Sequence, residues 1–300
     1  MNAYWRGTLD MTMAMIISGT VGWFVLQTHL PAQAVVFWRC LFGAVAMLLV
    51  CLSLGLLKPA SFNRRQLLWM VLGALALVLN WTLLFAAYRH TSIAVTTVVY
   101  HTQPFILVLL SLILFKEALG RHRLAWLTLA FMGMLLIVLG KPSLAEVSGD
   151  YLTGLGLALG AAFFYAIAAL ITKRLQHTPP QLIVLLQLSL GALLLAPFAQ
   201  LGTLPQNPTT WGLLLTIGVL HTGLMSTLLY GALQKIPTAL VGTLSFIYPI
   251  VAILVDWLAL GQRLSPIQLV GTLVILIAAA GMTLMPQWRQ RQQAKPSMRP

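Results

Sequence analysis

The sequence predicts an all-α integral membrane protein with ten transmembrane helices, built as two inverted five-helix repeats around a central cavity. Apolar residues make up 59% of the chain and charged residues 8%, whereas about a quarter of the residues in a soluble domain are charged. Ten apolar runs are long enough to cross a bilayer. The chain also repeats itself, because residues 87–141 align with residues 232–286 without a gap.

The apolar runs give the positions of the predicted spans. A helix needs about 17 to 25 apolar residues to cross the hydrocarbon core. Every backbone N–H and C=O group in lipid must find a partner within the protein, so such runs form helices. They lack the alternating pattern of a transmembrane β-barrel. We place the spans near residues 7–26, 33–57, 66–86, 93–115, 123–141, 152–172, 181–200, 210–234, 238–260 and 265–285.

The internal repeat predicts how the spans are arranged. Pro104 aligns with Pro249 in the stronger part of the repeat, and Pro31 aligns with Pro179 in a weaker match between the starts of the halves. Each half then contains five spans. Because five is odd, the second half must cross the membrane in the opposite direction to the first. Inverted repeats with interrupted helices are typical of secondary transporters, whose substrate lies near the midplane between the repeats.

The repeat also sets the expected domain boundaries. Residues 1–145 form the first repeat and residues 146–286 the second, and the polar stretch 142–151 between them has the composition of a loop. The last segment, 287–300, is polar, basic and contains proline, so we expect a disordered cytoplasmic tail. The first apolar run has a counterpart in the sixth, so we expect it to be kept as a span and not cleaved as a signal peptide.

Orientation in the membrane explains the net charge of +13. With both termini in the cytoplasm, the outer side holds only Arg89, Lys141 and Arg263. Almost all other basic residues then lie on the inner side, as the positive-inside bias requires. No basic stripe alternates with stacking aromatic residues, so we do not expect nucleic-acid binding. We predict a multi-pass protein of the bacterial inner membrane, in contact with the lipid bilayer and a small-molecule substrate.

Catalytic and metal-binding motifs are absent from the sequence. There is no phosphate-binding glycine loop, no H-E-x-x-H and no Cys/His cluster. Cys40 and Cys51 lie about 16 Å apart along one predicted helix, beyond disulfide reach. A membrane enzyme that acts on lipid phosphates would need clustered carboxylates, metal ligands or several buried basic residues. We therefore expect no cofactor, no metal and no enzymatic activity.

Polar and aromatic residues near the middle of the spans are the candidate substrate-binding residues. A polar group at that depth is costly unless it is paired or hydrated. Tyr, Trp and His side chains offer flat apolar walls with hydrogen-bonding tips, which suit an amphipathic solute such as an amino acid. Interhelical hydrogen bonding is the alternative explanation. The candidates are Ser18, Asn80, Trp81, Tyr100, His101, Gln103, Tyr165, His221 and Tyr248.

The aligned prolines, Pro104 and Pro249, are the predicted hinges. A proline inside a helix removes an N–H donor and leaves the carbonyl four residues earlier without its usual partner. Those carbonyls belong to Tyr100 and Ser245. Such backbone is tolerated at membrane depth where it is buried in protein or lines a watery cavity. A packing kink is the alternative, but the recurrence at aligned positions favours a hinge or a role in lining the site.

Charged residues inside the predicted spans are rare. Arg39 either attracts a substrate carboxylate or has a structural role, in which it snorkels to the surface or bonds a neighbouring helix terminus. The sequence favours the structural role. No acidic residue falls near the midplane, whereas ion-coupled transporters usually keep a buried carboxylate on the ion path. Uniport is therefore at least as well supported as proton antiport, although a central histidine could titrate.

Small residues in the sixth span include the G-x-x-x-G pair Gly156 and Gly160. Such surfaces allow two helix backbones to approach closely. Packing within the chain is the favoured explanation and a dimer interface is the alternative. We therefore expect a monomer or a homodimer.

Several of these features resemble the EamA-type exporters of the drug/metabolite transporter superfamily. They are the five-plus-five inverted spans, Phe37-Trp38-Arg39 at the start of the second span, Pro104 in the fourth and Leu114-Phe115-Lys116-Glu117 at its end. The second repeat keeps the corresponding run from Leu260 to Ser265, but has Gln262 where that family often has glutamate. The resemblance covers essentially the whole chain.

The resemblance implies export of small metabolites by alternating access. Together with the aromatic cavity, it leads us to predict an exporter of amino acids, aromatic and other neutral ones, that works by uniport or is linked to protons. Other small metabolites or cationic drugs are the alternative substrates. An aromatic cage can hold a quaternary amine, but a central carboxylate that would strengthen this binding is missing from the sequence.

Overall fold

The structure is a computed structural model that describes residues 2–57, 63–87, 90, 93–116, 120–139, 151–199, 204–261 and 265–293. Within these ranges all regular secondary structure is helical. The helices are α1 (Ala3–Thr28), α2 (Ala32–Ser53), α3 (Arg64–Ala87), α4 (Ile93–Tyr100), α5 (Gln103–Phe115), α6 (Arg121–Leu139), α7 (Tyr151–Arg174), α8 (Pro180–Leu195), α9 (Pro208–Gly218), α10 (Met225–Lys235), α11 (Thr238–Ser245), α12 (Ile247–Leu260) and α13 (Pro266–Gln293). A 3₁₀ turn, Ala196–Phe198, follows α8, and a π-helix, Val219–Leu224, joins α9 to α10.

Among the described residues, eight helical segments are long and apolar enough to cross a membrane. They are α1, α2, α3, α6, α7, the continuous segment Pro208–Lys235, the segment Thr238–Ala259, and the part of α13 up to Leu284. Two further apolar helices, α5 and α8, are shorter. The helices fall on the predicted apolar runs, so the protein is an all-helical membrane protein. Crossing of the bilayer at α4–α5 and at α8 stays a prediction.

Two predicted spans are each divided into two helices. The run 93–115 is interrupted at His101 and Thr102, between α4 and α5. The run 238–260 is interrupted at Phe246, between α11 and α12. Both interruptions lie on the aligned part of the internal repeat.

The aligned prolines mark the start of the second helix at each interruption. Pro104 is the second residue of α5, and Pro249 is the third residue of α12. The expectation that each proline lies inside a continuous helix was therefore wrong. An N–H group in the first turn of a helix has no partner within that helix, so a proline there costs no hydrogen bond.

Two helix ends also differ from the prediction. The seventh predicted span ends at Leu195 and not near residue 200, because Pro197 lacks the N–H group that would continue the helix. Helix α13 continues to Gln293. Residues 287–293, which we expected to be disordered, are therefore helical, as the good helix propensity of Gln and Arg permits. Residues 294–300 lie outside the described residues.

Several residues used in the sequence predictions also lie outside the described part of the chain. They are the loop residues 142–150, the outer-side residues Arg89, Lys141 and Arg263, and the motif residues Glu117 and Gln262.

Burial is distributed as expected for a protein surrounded by lipid. Leu49, Leu193 and Leu258 are 62%, 70% and 74% exposed on the outer faces of their helices. Asn80 and His221, in contrast, are each 1% exposed. Large apolar side chains on the outside and polar side chains inside fit a hydrocarbon surrounding and not water.

The helix contacts join the two halves of the chain. Helix α1 packs on α10 and α12, and α7 packs on α3, α4 and α5. Helix α2 packs on α8, and α6 packs on α13. Each of these pairs combines one helix from each half, so these contacts place the core between the halves.

The crossing of α6 and α13 depends on two glycines. A Cβ atom at Gly133 would lie 2.8 Å from the carbonyl oxygen of Gly271, and a Cβ atom at Gly271 would lie 2.5 Å from the carbonyl oxygen of Gly133. Any side chain at either position would collide with the backbone of the opposite helix. The absence of a side chain therefore allows the two backbones to touch.

We expect Gly133→Val and Gly271→Val each to destabilise the protein by about 1–3 kcal/mol, because the added side chain separates the two helices. Thermal unfolding of the purified protein in detergent measures the effect as a lower Tm. Gly156→Val is the matched control, since no described residue outside its own helix lies within 4 Å of a Cβ atom there. An equal loss in the control would show that the change acts through helix propensity and not through the crossing.

Candidate substrate-binding site

The two helix interruptions meet in the protein interior. The His101 ring stacks on the Tyr248 ring with centroids 5.8 Å apart and planes 28° apart, and its centroid lies 6.4 Å from that of Phe246. A Cβ atom at Gly242 would lie 3.0 Å from Cβ of Pro104. The interruption in the first half of the chain is thus packed directly against the interruption in the second half.

Side chains near the first interruption bond the backbone where α4 ends. The Nδ1–H of His101 donates to the carbonyl of Thr97 at 2.8 Å, and the hydroxyl of Thr102 donates to the carbonyl of Val99 at 2.7 Å. These bonds supply donors to carbonyls near the end of the helix. A carbonyl can only accept, so the proton lies on Nδ1 and Nε2 of the neutral ring is an acceptor.

Asn80 connects three helices beside the interruption. Its Nδ2 donates to the carbonyl of Ala161 at 2.7 Å and to the hydroxyl of Tyr100 at 3.2 Å. Both amide hydrogens are therefore used, which fixes the orientation of the amide. Its Oδ1 has no hydrogen-bond partner in the described part of the chain, and the same holds for Oε1 of the buried Gln103. A buried acceptor without a donor costs about 1–3 kcal/mol.

A cavity of about 280 Å³ lies beside the two interruptions. Eight of the nine predicted substrate-binding residues line it. The lining also includes residues that are not among those candidates, from α1, α2, α3 and α10 as well as from both interrupted spans. Within the described part of the chain, the lining residues are Met15, Ser18, Arg39, Leu77, Asn80, Trp81, Leu84, Phe85, Thr97, Tyr100, His101, Gln103, Tyr165, Met225, Ser226, Leu229, Tyr230, Ser245 and Tyr248.

His221 is the predicted site residue that does not line the cavity. Its Nε2 lies 2.9 Å from the hydroxyl of Thr20, and its ring centroid lies 4.6 Å from that of Phe24. It joins α1 to the π-helix. Interhelical hydrogen bonding, the alternative weighed for these residues, accounts for its position.

Arg39 makes a contact between helices and also lines the cavity. Its Nε donates to the hydroxyl of Thr222 at 3.1 Å, which fits the structural role that the sequence favoured. Its guanidinium carbon lies 5.3 Å from the centroid of the Trp81 ring, and the residue lines the cavity. Its charge within a span was the signal for a place in the lining, since intramembrane ionisable residues are functional candidates by default.

The π-helix brings Thr222 to Arg39. The Thr222 hydroxyl donates to the carbonyl of Ile217, five residues earlier, at 2.8 Å. The same region lies close to α2, because a Cβ atom at Gly218 would lie 3.1 Å from the backbone nitrogen of Gly43. Single π-helical turns within α-helices are frequent at functional sites. Nothing in the residue pattern of Val219–Leu224 indicates this conformation.

At the end of the molecule away from the cavity, the first turns of α1 contact the end of α10 and close the space between the two helices. Asp10 and Lys235 form an ion pair at 2.6 Å. A Cβ atom at Gly7 would lie 2.7 Å from Cγ2 of Ile236. The cavity lining instead extends along α3 to Leu84 and Phe85, near the end of that helix. The cavity is therefore displaced towards the end of the molecule where α3 ends.

Comparisons with known proteins agree with this architecture. The sequence profile described as the EamA-like transporter family matches the chain twice, at residues 5–139 and 152–284. The uncharacterized transporter YxxF of Bacillus subtilis (strain 168) is 30% identical over 280 residues, which cover 92% of this chain and 89% of that protein. The threonine/homoserine exporter RhtA of Escherichia coli (strain K12) is 34% identical over 168 residues, which cover 53% of this chain and 54% of that protein.

The fold is also found in a protein of known crystal structure. The two chains superpose with a TM-score of 0.81 at 19% sequence identity, over 95% of this chain and 98% of the other. At this identity the likeness concerns the fold alone. The family profile accounts for nearly all of the chain that lies outside the linking loop and the tail. This protein belongs to the EamA-like transporter family.

Proposed function

We propose that this transporter exports amino acids, aromatic and other neutral ones, across the bacterial inner membrane by alternating access. The cavity between the interrupted helices carries the proposal. Its walls combine aromatic rings with hydroxyl, amide and imidazole groups, as an amphipathic solute requires. Its volume of about 280 Å³ suits a molecule no larger than an amino acid. The Escherichia coli relative named a threonine/homoserine exporter supports the same class of substrate.

The alternative substrates, cationic drugs, are less well supported. None of the side chains that line the described cavity is acidic, whereas Arg39 is cationic. A positively charged solute would meet like charge without a compensating carboxylate. The charge of the cavity thus favours a substrate that carries an anionic group.

We further propose ten spans in two inverted repeats, residues 1–145 and 146–286. The two separate matches to the family profile support two related halves. The helix contacts support a two-fold relation. If α1 is exchanged with α7, α3 with α10, and α4–α5 with α11–α12, then the packing of α1 on α10 and α12 becomes the packing of α7 on α3 and α5. The same operation exchanges α2 with α8 and α6 with α13, so each of these two packed pairs is mapped onto itself.

In the proposed transport cycle, the interrupted helices bend at His101–Thr102 and at Phe246, next to the hinge prolines Pro104 and Pro249. With both termini in the cytoplasm, the closed end that holds Asp10 and Lys235 faces the cytoplasm. The structure then corresponds to a state whose cavity lies towards the outer side. Separation of α1 from α10 would open the cytoplasmic end and admit the substrate.

Counterflow in proteoliposomes tests the proposed activity. Vesicles that contain the purified protein and unlabelled amino acid should take up labelled phenylalanine, threonine or methionine with saturation. We expect His101→Ala to raise the amino-acid concentration that gives half-maximal uptake about tenfold, because roughly 1.4 kcal/mol of contact with the solute is lost. His177→Ala, at an exposed position beyond the end of α7, should leave uptake unchanged. Absence of exchange by an intact protein would exclude the amino-acid proposal.

We propose uniport as the mechanism, because the described carboxylate of Asp10 is paired with Lys235 and lies away from the cavity. Imposing a pH gradient across the vesicles should leave the steady level of labelled amino acid unchanged. Valinomycin and potassium, which set the membrane potential, serve as the control. Accumulation driven by the pH gradient would instead assign proton coupling, with His101 as the group in the cavity that can titrate.

Reversal of the ion pair tests the closed end. The pair is partly exposed, so removing it should cost about 0–1 kcal/mol and shift the balance between open and closed states by up to about fivefold. Asp10→Lys and Lys235→Asp should each change the maximal exchange rate. The double variant restores the pair with opposite polarity and should return the rate towards that of the unmodified protein. A double variant that exchanges no better than the single variants would show that the pair does not control closure.

A further inference from the structure

We propose that the cavity recognises the charged head of a free α-amino acid, with Arg39 binding the carboxylate and the amide oxygens of Asn80 and Gln103 accepting hydrogen bonds from the ammonium group. This inference rests on the proposed function, because it specifies the substrate class of the same cavity. It assigns a separate part of the cavity to each charge.

Arg39 is a cation without a compensating anion in the described structure. Its guanidinium stays protonated under all physiological conditions. The chain has five acidic residues, and the one with a described side chain, Asp10, is paired with Lys235 at the other end of the molecule. A charge held inside a membrane protein is costly unless it is paired. A carboxylate brought by the solute would supply the missing partner.

The guanidinium is held in an orientation that suits a carboxylate. Its Nε is bonded to Thr222 and its carbon lies 5.3 Å from the Trp81 ring centroid, so two contacts restrict its position. No further hydrogen bond joins Arg39 to the residues that the structure describes. Its two terminal nitrogens are therefore available to donate side by side, and this is the geometry in which arginine binds a carboxylate. A lysine could offer the charge but not the paired donors.

The acceptors for the ammonium group line the same cavity as Arg39. Oδ1 of Asn80 and Oε1 of Gln103 are the cavity-lining amide oxygens that lack a donor among the described residues. Asn80 directly precedes Trp81 in α3, and the guanidinium of Arg39, on α2, lies over the Trp81 ring. An ammonium group has three donors, and two would satisfy these buried oxygens. Nδ2 of Asn80 is committed to Tyr100 and Ala161, which keeps Oδ1 in place as the acceptor.

The remaining lining then receives the side chain of the substrate. Tyr165, Phe85, Met15 and Leu229 provide aromatic and apolar surface, with hydroxyl groups from Ser226 and Ser245 among them. Such a surface accepts aromatic, aliphatic and hydroxyl-bearing side chains without requiring one of them. Selection would therefore act on the charged head, and neutral amino acids of several kinds would share one site.

Competition in the counterflow assay tests this inference on the full-length protein. Labelled phenylalanine is competed with unlabelled phenylalanine, with its methyl ester, which lacks the carboxylate, and with N-acetylphenylalanine, which lacks the ammonium group. Each missing contact is a hydrogen bond to a charged group, so each derivative should compete at least about tenfold more weakly. Esters or acetylated derivatives that compete as well as phenylalanine would overturn the inference while leaving amino-acid export intact. Absence of phenylalanine and threonine exchange would instead reject the proposed function.

Variants then assign the carboxylate to Arg39. Arg39→Gln should reduce the preference for phenylalanine over its methyl ester to less than about threefold, and Arg39→Lys should keep part of it. Arg174→Gln is the matched control, because Arg174 also stacks on a tryptophan, with its guanidinium carbon 4.5 Å from the Trp69 ring centroid, but does not line the cavity. An unchanged preference in Arg39→Gln would contradict the assignment. Should that variant fail to fold, Thr222→Val provides a second test, since loss of its hydroxyl frees Arg39 and should lower the same preference.

Discussion

Every backbone polar group within the hydrocarbon must be bonded inside the protein, and the organisation of this molecule depends on that constraint. Two of its helical segments are interrupted, at His101–Thr102 and at Phe246. Local side chains bond neighbouring carbonyls at both places: Thr102 donates to Val99, and Ser245 donates to Gly242 at 2.6 Å. The interruptions also cover each other through the stacked rings of His101 and Tyr248. The cavity lies beside this irregular backbone, which is tolerated at membrane depth where it is buried in protein or lines a cavity.

Helices α1 and α10 connect the cavity with the closed end of the molecule. Helix α1 carries Asp10 near its start and Ser18 in the cavity lining, and α10 carries Ser226 in the lining and Lys235 at its end. Both helices are continuous between these positions. In the proposed transport cycle, a solute that moves either helix at the cavity would move the ion pair as well. Occupancy of the cavity would then be linked to closure of the opposite end.

The sequence predicted the helical class and the positions of the apolar segments, and eight of its nine candidate site residues lie in the cavity lining. Depth along a span brings these eight together, because residues at similar depth in packed helices lie at similar height. Depth does not say which side of a helix faces the cavity, and for that reason it did not separate His221, which lies outside the described lining, from the other candidates. The sequence also could not distinguish a proline inside a helix from one in its first turn, as at Pro104. The contact between Arg39 and Thr222 depends on the π-helix, for which the residues give no signal.

A π-helix contains one more residue between hydrogen-bonded groups than an α-helix does, so Val219–Leu224 is equivalent to a single inserted residue. Each residue advances an α-helix by about 100°. Without the insertion, α10 would be rotated by that angle relative to α9. Tyr230 would then leave the cavity and Lys235 would leave Asp10, although no residue of α10 had changed. One extra residue in the middle of the segment Pro208–Lys235 thus determines which face of α10 lines the cavity and which partner Lys235 meets at the end of that helix.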